Sequence, residues 1–559
     1  MNEITLSIVG SGGDGAVVAG DILAMACAGR GLHVIKTEAY GPQIRGGESS
    51  CTVRISAQPV TAQADRVGAL VVLSWEDFAR FASEIVLADD AVVFHDANDP
   101  APAEITQTKY AVPFDKMPKN MVSMGIVASM FALPLDGIRA ALRTRFGKKS
   151  AAVVEANLQA FDFGIAFTED LPKRPLTYTT GAPRLLMSGN EASAFGAIHA
   201  GCNFFAGYPI TPSSEILHFM AEWQPRLGGT SLQTEDELAA LGAVVGASFA
   251  GAKAMTATSG PGLSLMAEML GLASIAELPA VIVNVQRGGP STGIPTKSEQ
   301  SDLMHALFAS HGDTPRVVIA PCDVEDSFHT TVDAFNIAEE YQVPVIVLSD
   351  QLIAQRRETI DAESLTHDVR GRRIAEINEG EPYRRYRDTA DGVSPMSIPG
   401  QAGGVYQTNG LEHDERGRPS AMFVVHEKMN AKRYRKVAAI ADKYRLFRRS
   451  GAPKPRLGIL CWGSSYGVVN EAVKGRKDIG VFAPRMIAPL PAKDLQEFID
   501  SCEQILIVEL SFSGQFHKYL RSEVDLPKGR THALARSGGK SLGAIEVMQK
   551  IEALQEVLA

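Results

Sequence analysis

A carboxylate, two hydroxyls and a guanidinium stand in this sequence where strand-like runs give way to turns, a placement suited to orienting a small anion and sharing a proton. Glu237 opens Leu238–Ala252, a charge-free stretch rich in Ala, Gly and Val that predicts a helix buried on nearly all sides. Such an acid is either an exposed first-turn residue favoured by the helix dipole or a buried group whose pKa is raised by lost hydration. Upstream, Asn203–Ala206 reads as the end of a buried strand stopped by Pro209 and Pro212, which puts Thr211 and Ser213 on a rigid turn where a helix begins. Downstream, Lys253–Ala257 reads as a strand running into Thr258-Ser259-Gly260-Pro261-Gly262, a turn that lets backbone approach a ligand closely. Arg287 follows the run Val281–Val285 and can grip a carboxylate with two parallel hydrogen bonds.

The elements that must position these groups follow a βα rhythm. Residues 1 to about 175 alternate strand-like runs such as Ile4–Gly10 and Ala91–His95 with helical stretches such as Gly15–Ala28, the pattern of a doubly wound parallel sheet. Prolines at 172, 175 and 183 mark a linker over 176–184, and the rhythm resumes over 185–363. Residues 364–452 dissolve into Gly, Pro and charge; the Lys/Arg-rich stretch from Lys428 to Arg449 reads as a solvated face or packing arm rather than a polyanion site. A last βα unit spans 453–559. The fold class expected is therefore α/β, multidomain, with several doubly wound parallel sheets.

Composition narrows the partners. With 559 residues and a formal net charge of −9, the chain lacks the positive field that non-specific nucleic-acid binding needs, which leaves proteins and small molecules. There is no basic leader and no apolar run able to span a bilayer, so a cytoplasmic chain with no membrane contact is expected. The six cysteines at 27, 51, 202, 322, 461 and 502 are scattered without a C-x-x-C pair and read as buried free thiols. No histidine cluster has metal spacing, and Ser464 and Ser465 read as turn residues.

Gly10-x-Gly12-x-x-Gly15 follows a strand and opens a helix, an arrangement compatible with a dinucleotide site, a phosphate cradle or simply a tight βα turn. Glu38 could serve as the ribose acid of the first reading, although Lys36 stands beside it. Gly13-Asp14-Gly15 imitates the start of a thiamine-enzyme diphosphate motif, yet no Asn occurs between Asn2 and Asn98 to complete a metal shell.

Tyr208-Pro-Ile-Thr-Pro212, Thr256-Ala-Thr-Ser-Gly-Pro-Gly262 and Arg287-Gly-Gly-Pro-Ser-Thr-Gly-Ile-Pro-Thr-Lys-Ser-Glu-Gln-Ser-Asp302 resemble the α subunit of 2-oxoacid:ferredoxin oxidoreductases of the 2-oxoglutarate type. The front, with Ile4–Gly15 and Tyr40-Gly-Pro-Gln-Ile-Arg-Gly-Gly47, is similar to their γ subunit, so the chain resembles a fused γα polypeptide. The resemblance implies a γ-type domain over 1–175, a thiamine diphosphate pyrimidine-binding domain over 185–363 and a transketolase C-terminal-like domain over 453–559. It implies that Glu237, rather than Glu235, is the acid on the cofactor's pyrimidine, that Tyr208, Pro209, Ile210, Ser259, Gly260 and Pro261 line the cofactor, and that Thr211 and Arg287 orient the 2-oxoacid. Thr292, Thr296 and Lys297 either meet the distal carboxylate of 2-oxoglutarate or belong to an ordinary surface loop. Gly12, Gly13 and Arg45 are implied for coenzyme A, the co-substrate. A partner β subunit is implied to bring Mg²⁺, the diphosphate pocket and the [4Fe–4S] cluster whose electrons go to ferredoxin, in a dimer of αβ heterodimers. The rivals are the same chemistry on pyruvate or a branched-chain 2-oxoacid, a non-catalytic coenzyme A- or nucleotide-binding subunit, and a nicotinamide-dependent dehydrogenase.

Overall fold

The computed structural model describes residues 1–41, 47–114, 116–377 and 382–558. It comprises two compact units, Met1–Ser188 with Gln355–Ser364 and Gly543–Ala559, and Gly189–Ala354 with Leu365–Leu542. Compactness thus groups the chain differently from the linear reading, since residues 185–188, 357–360 and 544–558 belong with the front unit.

The front unit is built on an eight-stranded sheet. Glu3–Ser11 runs parallel to Val67–Val72, which is followed outward by Leu87–Asp96 and Thr108–Val112, also parallel. On its other side Glu3–Ser11 pairs antiparallel with Glu48–Ser56, and that strand with His33–Tyr40. The expected parallel winding therefore holds for half of this sheet. In the other half, Glu48–Ser56 is antiparallel to His33–Tyr40 because residues 41–47 between them are too few for the crossover of about a dozen residues that a parallel neighbour requires. Arg357–Ile360 pairs antiparallel with both His33–Tyr40 and Leu185–Ser188.

The second unit carries a seven-stranded sheet ordered Met486–Ala488, Val317–Ile319, Pro344–Asp350, Ala280–Gln286, Ala254–Thr258, Phe204–Gly207, Thr230–Gln233. All these pairings are parallel except the first. Ala254–Thr258, Ala280–Gln286 and Pro344–Asp350 are buried at every position, which is why Pro279–Val285 and Val343–Leu348 read as mainly apolar runs. A five-stranded sheet contains Leu457–Cys461, Ile479–Pro484 and Gln504–Glu509. One core joins the two sheets: Leu241, Ile282 and Ile346 belong to the same cluster as Trp462, Phe482 and Phe498.

The basic stretch is a packing arm. Helix Phe423–Ala438 buries Lys432 and Lys436 against Glu277, whose carboxylate accepts from Lys432 Nζ at 2.7 Å and from Lys436 Nζ at 2.8 Å. Arg385 donates to the Glu277 carbonyl at 2.6 Å. Burial opposes the Glu277 charge, yet Lys432, Lys436 and Arg385 hold its carboxyl far below the usual range. Burial pushes Lys436 down to about 7, against the pull of Glu277. All six cysteines are buried and unpaired. Among the described residues no helix is long and apolar enough to cross a membrane.

Candidate active site

Four neighbouring strands of the seven-stranded sheet deliver the predicted residues at their carboxyl ends, where open α/β sheets bind ligands. Thr230–Gln233 leads to Glu237, Phe204–Gly207 to Tyr208–Thr211, Ala254–Thr258 to Ser259–Gly262, and Ala280–Gln286 to Arg287.

Asp236 caps the helix Glu237–Phe249 by accepting from the Ala239 N–H at 2.7 Å, so Glu237 is its first residue. Of the two environments open to Glu237 the structure has the buried one: the residue is 5% exposed. Lost hydration raises its pKa, opposed by its own backbone N–H and reinforced by Asp236. Its seat is the side-chain space that Gly262 leaves empty. A Cβ on Gly262 would lie 2.6 Å from Glu237 Cδ, and closer still to Glu237 Oε1 and Thr258 Oγ1. The last glycine of the Thr258–Gly262 turn is required by that close approach. The helix itself departs from expectation. Glu237, Ala240, Leu241, Val244, Val245 and Ser248 are buried, but Leu238, Ala239 and Gly246 are exposed, and Cβ atoms on Gly242 and Gly246 would meet nothing within 4 Å. Low charge along this helix reflects an uncovered apolar face, not enclosure within the chain.

Arg287 is buried and donates from Nη1 to the Thr211 carbonyl at 2.6 Å, which ties two of the predicted residues together. Burial lowers its pKa and Asp302 counteracts this. Thr211 is exposed, whereas the Ser213 hydroxyl is buried and donates to the Ile210 carbonyl at 3.0 Å, so it closes the turn instead of facing out. Tyr208 and Pro209 are exposed and Ile210 is half-buried. The Arg287 loop folds back through a Gly288–Ile294 bridge, with Thr292 exposed and Thr296 and Lys297 half-buried; the Lys297 carbonyl accepts from the Gly288 N–H at 3.0 Å.

Several residues that no motif announced hold this loop. Gln300 is fully buried; its N–H donates to the Leu510 carbonyl at 2.7 Å, its Nε2 to the Trp462 carbonyl at 2.8 Å, and its Oε1 accepts from Leu510 N–H at 2.8 Å and Ser465 Oγ at 2.9 Å. Gln515 donates to the Ser301 carbonyl at 2.6 Å and accepts from the Met304 N–H at 2.9 Å. The C-terminal sheet and its turns therefore clamp the stretch that runs on from Arg287. Ser464 lies in a turn, as read, whereas Ser465 opens the helix Ser465–Ala472; the Ser464 N–H donates to Asp350 Oδ2 at 3.4 Å and Ser465 Oγ to Gln300 Oε1 at 2.9 Å. A fully buried Gln far along the chain from its partners leaves no periodic mark in sequence, which is why this clamp was illegible there.

The site contains buried polar atoms that lack a hydrogen-bond partner: Ser259 Oγ, Asn284 Oδ1, Thr256 Oγ1 and Arg287 Nε. Unmet groups of this kind are costly unless a ligand meets them. Together with the Glu237 carboxyl they offer acceptors and donors to a polar heteroaromatic ring, and they fit the pyrimidine of thiamine diphosphate.

In the front unit, Gly12 and Gly13 are exposed and Gly15 adopts a left-handed backbone at the start of helix Ala16–Ala28. Asp14 accepts from the Ser11 N–H at 2.9 Å, and Ser11 Oγ donates to Asp77 at 2.7 Å. Arg45 lies outside the described residues. Glu38 is bonded by Lys36 Nζ and Tyr40 OH, which removes the acid that the dinucleotide reading needs.

Residues 195–432 match the family described as pyruvate flavodoxin/ferredoxin oxidoreductase, thiamine diphosphate-binding, and residues 5–167 match pyruvate ferredoxin/flavodoxin oxidoreductase. The 2-oxoglutarate synthase subunit KorA of Methanothermobacter marburgensis is 40% identical over 65% of this chain and 97% of its own length. Subunit alpha of 2-oxoacid:ferredoxin oxidoreductase 2 from Aeropyrum pernix is 31% identical over 79% of this chain and 73% of its own. Among solved structures, a 2-oxoglutarate:ferredoxin oxidoreductase from Magnetococcus marinus, with 2-oxoglutarate, coenzyme A and succinyl-CoA bound, is 34% identical, covers 99% of both chains and superposes with a TM-score of 0.93. The chain belongs to the 2-oxoacid:ferredoxin oxidoreductase family.

Proposed function

We propose that this chain is the γα subunit of an enzyme that converts 2-oxoglutarate, coenzyme A and oxidised ferredoxin to succinyl-CoA, CO₂ and reduced ferredoxin, reversibly. The observation that carries the reading is the Glu237 carboxyl group, buried against Gly262 with its pKa raised. A carboxyl whose pKa is raised by lost hydration is better suited to share a proton with a ring nitrogen than a solvated one, which would simply stay ionised. Thiamine diphosphate, when bound, supplies the stabilisation of carbanion character that decarboxylation of a 2-oxoacid needs. Tyr208, Pro209, Ile210, Ser259, Gly260 and Pro261, with Glu237, would hold its pyrimidine half.

Arg287 would bind the substrate's 1-carboxylate through two parallel hydrogen bonds and Thr211 would add a hydroxyl, so that the keto carbon is oriented before reaction. Thr292, Thr296 and Lys297 would receive the distal carboxylate. The choice of 2-oxoglutarate over pyruvate or a branched-chain 2-oxoacid draws support from the compounds bound to the Magnetococcus marinus enzyme and from the name of the Methanothermobacter relative. Coenzyme A would meet Gly12, Gly13 and Arg45, where backbone N–H groups at a helix start suit phosphate.

A β subunit would complete the assembly, as a dimer of αβ heterodimers, by contributing Mg²⁺, the diphosphate pocket and a [4Fe–4S] cluster that passes electrons to ferredoxin. The uncovered face of helix Glu237–Phe249 supports a partner surface close to Glu237. The test is co-expression with a β-subunit chain bearing a Gly-Asp-Gly motif, a following Asn and clustered cysteines, then viologen reduction by 2-oxoglutarate, pyruvate and 2-oxoisovalerate with coenzyme A present. The reading expects 2-oxoglutarate to give the highest kcat/KM. Turnover by this chain alone, or preference for another 2-oxoacid, refutes the corresponding part.

A further inference from the structure

Open α/β sheets receive ligands at the carboxyl ends of their parallel strands, and the five-stranded sheet has such an edge of its own. Leu457–Cys461, Gln504–Glu509 and Thr531–Ala535 lie side by side and parallel in it. The turns after all three strands are taken up by this chain. After the first, the Trp462 carbonyl accepts from Gln300 Nε2 at 2.8 Å and Ser465 Oγ donates to Gln300 Oε1 at 2.9 Å. After the second, the Leu510 carbonyl accepts from the Gln300 N–H at 2.7 Å, and the Leu510 N–H donates to Gln300 Oε1 at 2.8 Å. After the third, the Gly538 N–H donates to Glu299 Oε1 at 2.8 Å and the Gly539 N–H to the Ser298 carbonyl at 3.4 Å. Where such a sheet would hold a ligand, this one holds residues 298–300.

That stretch begins one residue past Lys297, so it ends the loop that Arg287 begins. The two ends of the loop are held by different elements. Arg287 leaves the strand Ala280–Gln286, and its Nη1 donates to the Thr211 carbonyl at 2.6 Å. At the other end, Glu299 braces the loop by accepting from the Gly289 N–H at 3.3 Å through Oε2, while its Oε1 reaches Gly538. Packing is tightest at Gly538. A Cβ there would lie 2.0 Å from the Ser298 carbonyl oxygen and 3.0 Å from Glu299 Cβ. Its φ lies outside the left-handed region, so the approach of the two backbones alone calls for glycine.

Resting on the reading of Arg287 as receiver of the 1-carboxylate and of Thr296 and Lys297 as receivers of the distal one, we propose that the carboxyl edge of the C-terminal sheet sets the length of 2-oxoacid the site accepts, with Gln300 and Gly538 as positioning residues. The separation of the two receivers is the measure of length. One receiver is fixed by the seven-stranded sheet, and the backbone that follows the other is fixed by the five-stranded sheet. A dicarboxylate must satisfy both, whereas a monocarboxylate 2-oxoacid uses Arg287 alone and is indifferent to the second. Specificity is a difference of affinities, so a shift of the second receiver changes one affinity and spares the other.

The experiment uses the complex with its partner subunit and compares wild type with Gly538→Ala, which alters no group that meets substrate. The readout is a pair of inhibition constants against 2-oxoglutarate turnover: 2-hydroxyglutarate, which carries both carboxylates, and pyruvate, which carries one. The added methyl displaces the Ser298 backbone, and a displaced receiver forfeits a hydrogen bond to a charged group. The inhibition constant of 2-hydroxyglutarate is therefore expected to rise by about tenfold or more, and that of pyruvate to stay within about twofold. Equal weakening of both inhibitors, which a general loosening of the site would give, overturns the proposal, as do unchanged constants. If Gly538→Ala fails to assemble, Gln300→Met, which removes three side-chain hydrogen bonds at the same edge, takes its place with the same expectation. Failure of both to assemble assigns the edge to folding alone and also overturns the proposal. A wild-type complex inactive on every 2-oxoacid, or one preferring pyruvate, would instead sink the functional reading on which this rests.

Discussion

The sharpest consequence of the geometry concerns one methyl group, at Gly262→Ala. The added Cβ would stand 2.6 Å from Glu237 Cδ, whereas unbonded carbons settle at about 3.5–4.0 Å. Glu237 sits on the first turn of a capped helix whose buried residues fix its backbone, so the adjustment falls on its carboxyl, which must retreat by about 1 Å, and on the Thr258 hydroxyl, which the same Cβ crowds. Misplacement of a reacting group by that distance costs on the order of 10²-fold in rate. Stability should barely change, because Gly262 lies in a helix, where Ala is preferred to Gly by about 1 kcal/mol, an amount that offsets the local repacking. The assay is kcat for viologen reduction by the assembled complex, with thermal unfolding of the same samples. Gly529→Ala, in the short helix Lys528–Arg530, is the control: a Cβ there meets nothing within 4 Å. Activity of Gly262→Ala within threefold of wild type at unchanged stability would show that the carboxyl's seat does not govern catalysis.

Glu237→Gln should abolish turnover while leaving assembly intact, and at neutral pH it should raise the Tm of the chain without cofactor. The sign follows from the raised pKa: ionising Glu237 costs the folded state more than the unfolded one, so stability is lost as pH rises through the folded value, and the Tm gap should close toward pH 4. Glu277→Gln should destabilise by about 3–5 kcal/mol in urea denaturation, because Lys432 and Lys436 are left buried without a carboxylate; a loss below about 1 kcal/mol would contradict the burial of that cluster. In wild type, Lys436 makes stability rise with pH from about 7 toward the unfolded lysine value, since the unfolded state binds the extra proton in that window; Lys436→Met should flatten the rise. Gly246→Glu should leave the isolated chain's Tm unchanged and prevent copurification with the partner, which size-exclusion chromatography would read directly.

The turns that carry chemistry were legible because proline and glycine punctuate them. Tyr208–Pro212 and Thr258–Gly262 fall at the ends of buried parallel strands, and Glu237 begins its helix as expected. What the sequence hid is of two kinds. The first is pairing over long separations: Gln300 with Trp462 and Leu510, or Glu277 with Lys432, depends on residues more than 150 positions apart that share no period. The second is the difference between apolar and buried. Leu238–Ala252 lacks charge whether this chain or another molecule covers it, and residue types alone do not separate those cases. The front sheet shows a related limit, since alternation of strands and helices announces parallel winding but the seven-residue link at 41–47 turns part of it antiparallel.

The strand Arg357–Ile360 has a practical meaning for anyone wishing to dissect this polypeptide. It seals the flank of His33–Tyr40 from a point more than three hundred residues later, and residues 543–559 return to the same unit from the far terminus. A fragment stopped at residue 175 would expose a raw β edge, the usual invitation to aggregate. Recovering a well-behaved front piece therefore calls for grafting the later strand back beside the earlier one, not for a single cut.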